Sequence, residues 1–545
     1  MKKSKILTLL LVFPLTACFS RSNFSWGSYK NSSVAMSAQS KKFKNFKFKE
    51  FNTIENDKDI LLSAIRNKSS LSTFSGLYNS LSLKLRTILQ SYIIATTKYY
   101  GESDATYNQK ANYYYSLYVD LSTYFMSIET DIYNSSKEIK EAYFAGLSER
   151  QIEERINNNA DSIIEANYDK IFNEYKDEAS ELYAQYRVNK DKNYYLDKGF
   201  DYFLRYINKS KEFINELSSY DSYLDYSYEN DYKRDYKMAD SLNFVNYVKE
   251  YFIPIVKNKP SLTLPSEVSP NLLNIIDRYN FCNSTTNMSD LFLSYAENMG
   301  DSYLNRYNAA FNGYFYFSDA SNSMSTAYEW GLPGTNDAVL YFSRDYQNIL
   351  SVIHEFGHYY SSTINNGARA EDAYDLQETY SQGNEFTFLK FLLANKSEDE
   401  NYSTYQFYAD SEAYDAVNQI CQFAAITEIE NFAYTTSNLT KESLINGVNE
   451  ILASYDGAVS DVYFMAPCTS SPLYYISYAT SLMEAVQLYT KTTFEDARES
   501  YTKLVEATGG LTMVDRWKNA GLTSPFEEST FKLLSVLFTD IAEKY

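Results

Sequence analysis

Residues 354–358 are His354-Glu355-Phe356-Gly357-His358, and this stretch contains both histidines of the 545-residue chain. Spaced i, i+4 on a helix, the two imidazoles lie on one face, one turn apart, where they can share a metal ion. Two histidines placed at random would fall four residues apart in roughly one chain in several hundred, before the intervening glutamate is considered. The H-E-x-x-H pattern therefore predicts a metal-binding helix, with Glu355 beside the ion as a base.

A third metal ligand has to come from elsewhere, because a catalytic zinc ion keeps three protein ligands and one open position for water. No other histidine remains, so the expected ligand is a carboxylate. We predict Glu378, twenty residues after His358, since a turn at Asn365-Asn366-Gly367 would let a second helix return antiparallel to the first. The helical apolar spacing of that second helix begins near Asp375, a candidate N-cap.

Glu385 lies seven residues after Glu378, two turns further along the same helix face. From there it can accept a hydrogen bond from a ligand histidine and fix the tautomer of that ring. The alternative is an ordinary solvated carboxylate on the helix surface, and both alternatives stay open at this point.

A short apolar run, Ala338-Val339-Leu340-Tyr341-Phe342, follows the turn residues 331–337 and precedes the H-E-x-x-H stretch. Its composition predicts a β-strand beside the metal helix. An open strand edge there would let an extended peptide pair with the backbone, which gives affinity without strong sequence preference. An ordinary buried strand is an equally good interpretation.

Three blocks of this sequence resemble the thimet oligopeptidase and oligoendopeptidase F family of zinc metallopeptidases. The first is the H-E-F-G-H stretch, with its glycine before the second histidine. The second is similar to the family's E-x-x-S-x-x-N-E motif. The third, nearer the C-terminus, is similar to the family's tyrosine-rich segment. The matching residues are Glu378-Thr379-Tyr380-Ser381-Gln382-Gly383-Asn384-Glu385 and Leu473-Tyr474-Tyr475-Ile476-Ser477-Tyr478-Ala479-Thr480.

The resemblance covers about the second half of the chain and implies a mainly α, elongated protein with a deep substrate channel. It implies one Zn²⁺ ion, with Glu355 as general base, and short peptides as substrates, cut at internal bonds. In the family, the tyrosine-rich segment donates hydrogen bonds to the tetrahedral intermediate. Tyr478 is the candidate donor here, with Tyr474 and Tyr475 as alternatives.

The chain departs from the family at two positions. Many members have a histidine three residues after the second ligand, where this chain has Ser361, and another before the tyrosines, where it has Ala466-Pro467-Cys468. Loss of one donor to the intermediate lowers turnover in other hydrolases by roughly two to three orders of magnitude, so tyrosines would have to stabilise the oxyanion. Because the chain contains 55 tyrosines, a tyrosine cluster is also typical of core packing or composition bias.

The N-terminus has the pattern of a bacterial lipoprotein signal: basic residues, an apolar run from Ile6 to Leu15 too short to span a bilayer, and small residues before Cys18. We expect residues 1–17 to be removed, Cys18 to be lipidated, and the protein to be anchored outside the cytoplasmic membrane, at the cell surface or periplasmic face. The alternative is a signal peptide that is cleaved without lipidation, in which Cys18 has no role.

Residues 18–45 are predicted to be a tether, and the basic, aromatic segment Lys41–Lys49 to be the first strand or a docking arm. Contact of that segment with an anionic lipid surface is the other interpretation.

Removal of residues 1–17 takes away Lys2, Lys3 and Lys5 and changes the formal net charge from -20 to -23, which excludes nucleic acid as a partner. Three cysteines then remain, Cys282, Cys421 and Cys468, so at most one disulfide is possible.

The length exceeds what one hydrophobic core usually serves, so two packed regions are expected. No proline lies between Pro14 and Pro254, and four crowd into residues 254–270. We therefore predict a helical N-terminal region, 46–253, and a catalytic zinc metallopeptidase region, 254–545.

Two rival functions remain open. A non-catalytic peptide-binding lipoprotein would explain the missing C-terminal histidine, although a binder has no need of Glu355 as a base. A zinc carboxypeptidase would use the same ligands and a cation that holds the free C-terminal carboxylate. Histidine and carboxylate ligands also accept divalent ions other than zinc.

Overall fold

The computed structural model describes residues 39–217, 220–273, 288–320, 323–364, 372–394, 401–460, 462–507 and 511–545. These residues form a mainly α protein with one small sheet, as predicted. The α-helices span Lys41–Lys44, Ile54–Arg66, Leu71–Glu102, Ala105–Ser127, Glu129–Tyr133, Lys137–Tyr143, Glu149–Asn189, Lys192–Glu216, Tyr223–Tyr226, Met238–Tyr247, Ile253–Asn258, Met288–Met299, Asp301–Asn312, Ile349–Ile364, Tyr374–Leu392, Tyr402–Thr435, Lys441–Ser454, Met465–Ser470, Tyr475–Tyr489, Phe494–Glu506, Met513–Asn519 and Glu528–Lys544.

Short π-helical segments at Ser227–Asp231 and Val248–Phe252 and a 3₁₀ turn at Arg344–Tyr346 complete the helical part. The strands are β1, Tyr314–Phe317, β2, Ala327–Gly331, and β3, Ala338–Phe342. No helix among the described residues is both long and apolar enough to cross a membrane.

The long helices of the first half follow their sequence signals. Residues 81–97, which have helical apolar spacing in the sequence, lie inside the helix Leu71–Glu102, and residues 138–170, which have the same spacing, are divided between two helices. Gly146, with φ of +83°, lies in the break, and Ser148 then caps the next helix by accepting a hydrogen bond from a backbone N–H. A left-handed glycine followed by a serine cap is a favourable way to end one helix and begin another.

Three helices build the region around the two histidines. The HEXXH helix, Ile349–Ile364, packs against the glutamate helix, Tyr374–Leu392, which packs in turn against the tyrosine helix, Tyr475–Tyr489. The glutamate helix is buried on all sides although its sequence is polar. Its hydroxyl and amide side chains avoid the cost of burial by hydrogen bonding, as Thr379 does to the carbonyl of Asp375.

The HEXXH helix and the glutamate helix are antiparallel and touch at Gly357. Asn384 donates to the carbonyl of Ile353, whereas Gly357 faces Ser381 and Tyr380, so the contacts run in opposite directions along the two helices. A Cβ atom at Gly357 would lie 2.6 Å from the Cα of Ser381 and 2.8 Å from the carbonyl oxygen of Tyr380. Only glycine permits this approach. The predicted turn at 365–367 lies outside the described residues.

The strand predicted at Ala338–Phe342 is confirmed with the same bounds, as β3. The suggestion that its edge is open to a peptide is wrong, because the sheet order is β1-β3-β2 and β3 is paired on both sides, parallel to β1 and antiparallel to β2. All five residues of β3 are buried. A strand covered on both faces needs apolar side chains at successive positions, which explains the uninterrupted run.

The sheet separates two hydrophobic clusters. The first cluster contains buried residues from Phe43 to Ile152 together with Val339 and Tyr341 of β3. The second extends from Tyr168 to Ile541 and contains the alternate β3 residues, among them Leu340. The HEXXH helix packs on the side of the second cluster. The division of the chain at residue 254 stays a prediction.

The segment Lys41–Lys49 is not a strand. It begins with the helix Lys41–Lys44, because Ser40 accepts a hydrogen bond from the backbone of Phe43 and caps the first turn. The Phe43 ring is fully buried, 5.4 Å from the ring of Tyr316 in β1. The segment therefore docks on the sheet, so the tether predicted for residues 18–45 is wrong for residues 41–45; its part before residue 39 lies outside the described residues. Elsewhere, Cys421 and Cys468 are buried free thiols.

We expect Gly357→Ala to destabilise the protein by about 1–3 kcal/mol, because the added Cβ meets backbone atoms that cannot move independently of their helix. Gly76→Ala is the matched control: it also lies in a helix, but nothing lies within 4 Å of the added Cβ, and it should stabilise by about 1 kcal/mol. The thermal midpoints of the two variants check this expectation. Equal midpoints would show that the helices are not in close contact at Gly357.

Candidate metal centre

The two histidines and Glu378 converge on one point. The Nε2 atoms of His354 and His358 lie 3.6 and 3.7 Å from Oε2 of Glu378. Ligand atoms of all three residues lie within 4.8 Å of one another. In a tetrahedral zinc site with bonds of about 2.0–2.1 Å, ligand atoms are about 3.3 Å apart. The three side chains are thus close to the spacing that the ion requires.

The residues fit a divalent cation. His354 Nε2 is buried and has no hydrogen-bond partner among the described residues, and it lies 3.6 Å from Oε2 of Glu378, so this nitrogen remains for a ligand from outside the chain. Two imidazole nitrogens and one carboxylate oxygen are the donor set of many catalytic zinc sites. The side chain of His354 is 4% exposed and that of His358 is 14% exposed, so the cluster opens towards solvent on the His358 side.

Hydrogen bonds orient the ligand side chains. Nδ1 of His354 lies 2.7 Å from Oε1 of Glu385, the contact that the role predicted for Glu385 requires. A proton on Nδ1 leaves the Nε2 lone pair available for a metal. On the other side, the hydroxyl of Tyr474 donates to Oε1 of Glu378, and Ser381 donates weakly to Oε2 at 3.3 Å.

Burial controls the protonation of the cluster. Burial, together with the charge of His354, lowers the pKa of His358 well below its usual value, so this ring is neutral. Burial also lowers the pKa of His354, but the hydrogen bond to Glu385 and the nearby Glu355 and Glu378 carboxylates raise it to about 9. Burial raises the pKa of Glu378, against the charge of His354 and the hydrogen bond from Tyr474. A bound cation would favour neutral histidines and an ionised glutamate.

Glu355 is buried beside the ligands, with 1% of its surface exposed. Burial raises its pKa to about 8, opposed by the charge of His354 and supported by the carboxylates of Glu378 and Glu329. Glu329, on β2, accepts a hydrogen bond of 3.0 Å from Ser362 of the HEXXH helix, and burial raises its pKa to about 7. The neighbouring carboxylates of Glu378 and Glu329 thus add to burial in favouring the protonated form of Glu355.

The tyrosine helix brings Tyr474, rather than Tyr478, into hydrogen-bond contact with a predicted ligand. Tyr478 is also buried, with its ring 5.1 Å from that of Tyr474 and 5.7 Å from that of Phe423. The ring of Tyr475 lies 5.6 Å from that of Tyr478. At the positions of the two missing histidines, Ser361 donates to the carbonyl of His358, and residues 466–468 lie in the buried helix Met465–Ser470.

Asp375 is not the N-cap of the glutamate helix, as the sequence suggested. The helix begins at Tyr374 after an N-cap at Ala373, and Asp375 is fully buried. Its carboxylate accepts hydrogen bonds from Tyr236, Ser477 and Thr480 and forms an ion pair with Arg234. A side chain engaged in this way cannot cap a helix.

The sequence analysis did not find Arg234 or Glu430, two buried ionisable residues that contact Leu473, just before the tyrosine helix. Neither lies in a motif, and both are remote in the chain from the residues that they contact. Asn384 belongs to a quoted motif but had no assigned role. It joins the two ligand-bearing helices by donating to Ile353 and accepting from Tyr295 and Tyr303.

No protein-family model matches the sequence, and no curated protein matches it. Solved structures match over most of the chain. A structure described as PZ peptidase A with an inhibitor is 14% identical, with a TM-score of 0.67, over 92% of this chain and 99% of its own. An oligoendopeptidase F structure from Bacillus anthracis str. Ames is 14% identical, with a TM-score of 0.62, over 94% of this chain and 99% of its own. An M32 carboxypeptidase structure from Deinococcus radiodurans R1 is 11% identical, with a TM-score of 0.55, over 86% of this chain and 99% of its own.

The resemblance inferred from the motifs is therefore confirmed as a likeness of fold. The chain has the helical fold of these peptidase structures, and the likeness extends well beyond the second half of the sequence, where the motifs lie.

We expect Glu385→Ala to lower the affinity for zinc by about 10- to 100-fold, because His354 loses the acceptor that fixes its tautomer. Competition with a zinc-chelating dye measures this. Glu499→Ala removes an exposed carboxylate of the helix Phe494–Glu506 and should leave the affinity unchanged. Equal affinities of both variants and the unmodified protein would remove Glu385 from the site.

Proposed function

We propose that the protein is a zinc-dependent oligopeptidase that hydrolyses internal bonds of short peptides. The observation that carries the proposal is the convergence of His354, His358 and Glu378 on one point. Glu355 is buried on the HEXXH helix, between the two histidines in sequence. A binding protein needs no carboxylate between two ligands, whereas a hydrolase needs a base there. The likeness of fold to structures named PZ peptidase and oligoendopeptidase F supports a peptide as the substrate.

The chain's own groups supply the proton transfers. A bound zinc ion would polarise the scissile carbonyl and make water a better nucleophile. Glu355 accepts the proton of the attacking water and delivers it to the leaving amine. We assign the stabilisation of the oxyanion to Tyr478, because Tyr474 already donates to Glu378.

The carboxypeptidase alternative keeps the same ligand set. Solved carboxypeptidases share the fold, and the TM-scores do not separate the classes, since the 0.55 of the M32 carboxypeptidase lies between the 0.62 and 0.50 of two oligoendopeptidase F structures. A carboxypeptidase also needs a cation for the substrate's terminal carboxylate. Arg234 does not supply it, since its guanidinium is fully buried in an ion pair with Asp375. The support for cleavage at internal bonds is the likeness to structures named oligoendopeptidase F.

Glu355→Gln should retain zinc and lose hydrolysis, by at least about 10²-fold in kcat, because the amide keeps the shape of the side chain but cannot accept the proton. The assay is cleavage of an internally quenched peptide, beside the zinc content of the same sample. Glu499→Gln makes the same change at an exposed side chain, controls for the expression and purification of a variant, and should have normal turnover. Retained turnover in Glu355→Gln would refute the assigned base.

The same assay decides between the two peptidase classes when the C-terminus of the peptide is amidated. An endopeptidase cleaves the blocked and the free peptide at similar rates, whereas a carboxypeptidase cleaves only the free one. Zinc without cleavage of either peptide, in the unmodified protein, would support the peptide-binding alternative.

We further propose that a lipid at Cys18 anchors the protein outside the cytoplasmic membrane. The support is the sequence pattern of residues 1–18, which lie outside the described part of the structure. Cys18→Ser should move the protein from the membrane pellet to the soluble fraction, with no acylated N-terminal peptide detected by mass spectrometry. Cys282→Ser, the control, should stay in the pellet. A Cys18→Ser variant that remains in the pellet would contradict the anchor.

A further inference from the structure

Leu473, the residue before Tyr474, has a left-handed backbone. Its φ is +63°, a conformation that residues other than glycine adopt with strain. Two buried side chains hold it there: Glu430 accepts a hydrogen bond of 2.5 Å from the Leu473 N–H, and Arg234 donates one of 2.8 Å to the Leu473 carbonyl. Strained backbone of this kind persists only where the surroundings fix it, and it is frequent at functional sites.

Arg234 also connects the tyrosine helix to the glutamate helix. Its Nη2 donates to the hydroxyl of Ser477 at 2.8 Å, and its Nε lies 3.2 Å from Oδ2 of Asp375. Ser477 in turn donates to Oδ2 of Asp375 at 2.7 Å. We call Arg234, Asp375, Glu430 and Ser477 the arginine clamp. All four residues are buried.

The clamp lies one helical turn from the metal cluster. Asp375 precedes Glu378 by three residues on the glutamate helix, and Ser477 follows Tyr474 by three residues at the start of the tyrosine helix. The bond between Asp375 and Ser477 and the bond between Tyr474 and Glu378 therefore join the same two helix segments, side by side. Together they leave the Tyr474 hydroxyl little freedom to move away from Glu378.

We propose that Tyr474 is a positioning residue for the metal ligand Glu378, and that the arginine clamp holds Tyr474 in that position. The Tyr474 hydroxyl engages Oε1 of Glu378, and Oε2, which faces both histidines, remains for the cation. Tyr474 and Tyr478 thus have different tasks on successive turns of one helix. The inference rests on the metal site of the proposed function but concerns affinity for the ion, not turnover.

The test is the zinc affinity of the full chain, measured with a chelating dye, in Tyr474→Phe and in Tyr501→Phe. Tyr501 is the matched control, because its buried hydroxyl also donates to the glutamate helix, at 2.9 Å to the carbonyl of Tyr380, but does not touch a ligand. Tyr474→Phe should lower the affinity about 10- to 100-fold and Tyr501→Phe should not change it. Equal affinities of the two variants would overturn the assignment of Tyr474.

A double-mutant comparison tests the clamp. Arg234→Lys keeps the charge but replaces the separate guanidinium nitrogens that bond to Asp375 and Leu473 by a single nitrogen, and it should lower zinc affinity when Tyr474 is present. In the Tyr474→Phe background it should cause no further loss, because the clamp acts through Tyr474. The same fold-loss in both backgrounds would overturn the clamp. Ser477→Ala serves as the milder variant if Arg234→Lys does not fold.

The outcomes separate this inference from the proposed function. Failure of the unmodified protein to bind zinc would refute the proposed metallopeptidase. Normal zinc binding and hydrolysis in the unmodified protein, with no loss of affinity in Tyr474→Phe, would refute the inference alone.

Discussion

The contact between the HEXXH helix and the glutamate helix at Gly357 is the constraint on which the site depends. Because the helices are antiparallel and almost in backbone contact, His354, three residues before the glycine, lies beside Glu385, and Glu378 lies beside both histidines. A larger residue would separate the helices, and the ligand atoms with them. The glycine in the H-E-x-G-H stretch is thus as important for the metal site as the histidines are.

This close approach has an electrostatic cost. It buries carboxylates, imidazoles and a guanidinium in a region with little water, where an uncompensated charge is strongly unfavourable. Each group is offset by a specific partner: Glu385 by His354, Asp375 by Arg234, and the cluster of Glu355 and Glu378 by the cation that it would bind. The chain places its buried charges next to one another, and the strained turn before the tyrosine helix lies among them.

The sequence predicts those parts of the site that depend on local geometry. The i, i+4 histidines follow from helix periodicity, Glu378 from the ligand count, and the seven-residue spacing places Glu385 on the face of Glu378. The bounds of β3 follow from its apolar run. The central position of β3 could not be predicted, because strand order depends on how β3 pairs with β1 and β2, and the apolar run of β3 does not specify its pairing partners.

Asp375 shows the same limit for a single side chain. Aspartate before an apolar helical run is a common N-cap, and only its pairing with Arg234, 141 residues earlier, makes it a buried anion instead. Arg234 has no motif around it, so no local pattern predicts that pairing. Tyr474 and Tyr478 are alike in sequence and four residues apart, on the same helix face, and only their positions along the helix relative to Glu378 decide which one reaches that carboxylate.

The two-sided burial of β3 also determines how the molecule can come apart. Val339 and Tyr341 belong to one hydrophobic cluster, and Leu340 and Phe342 belong to the other. Melting of either cluster would expose an aromatic face of the sheet that carries the residues leading into the HEXXH helix. The two clusters are therefore linked in unfolding, and proteolytic removal of the N-terminal helices would leave an exposed, aggregation-prone sheet rather than a smaller folded protein.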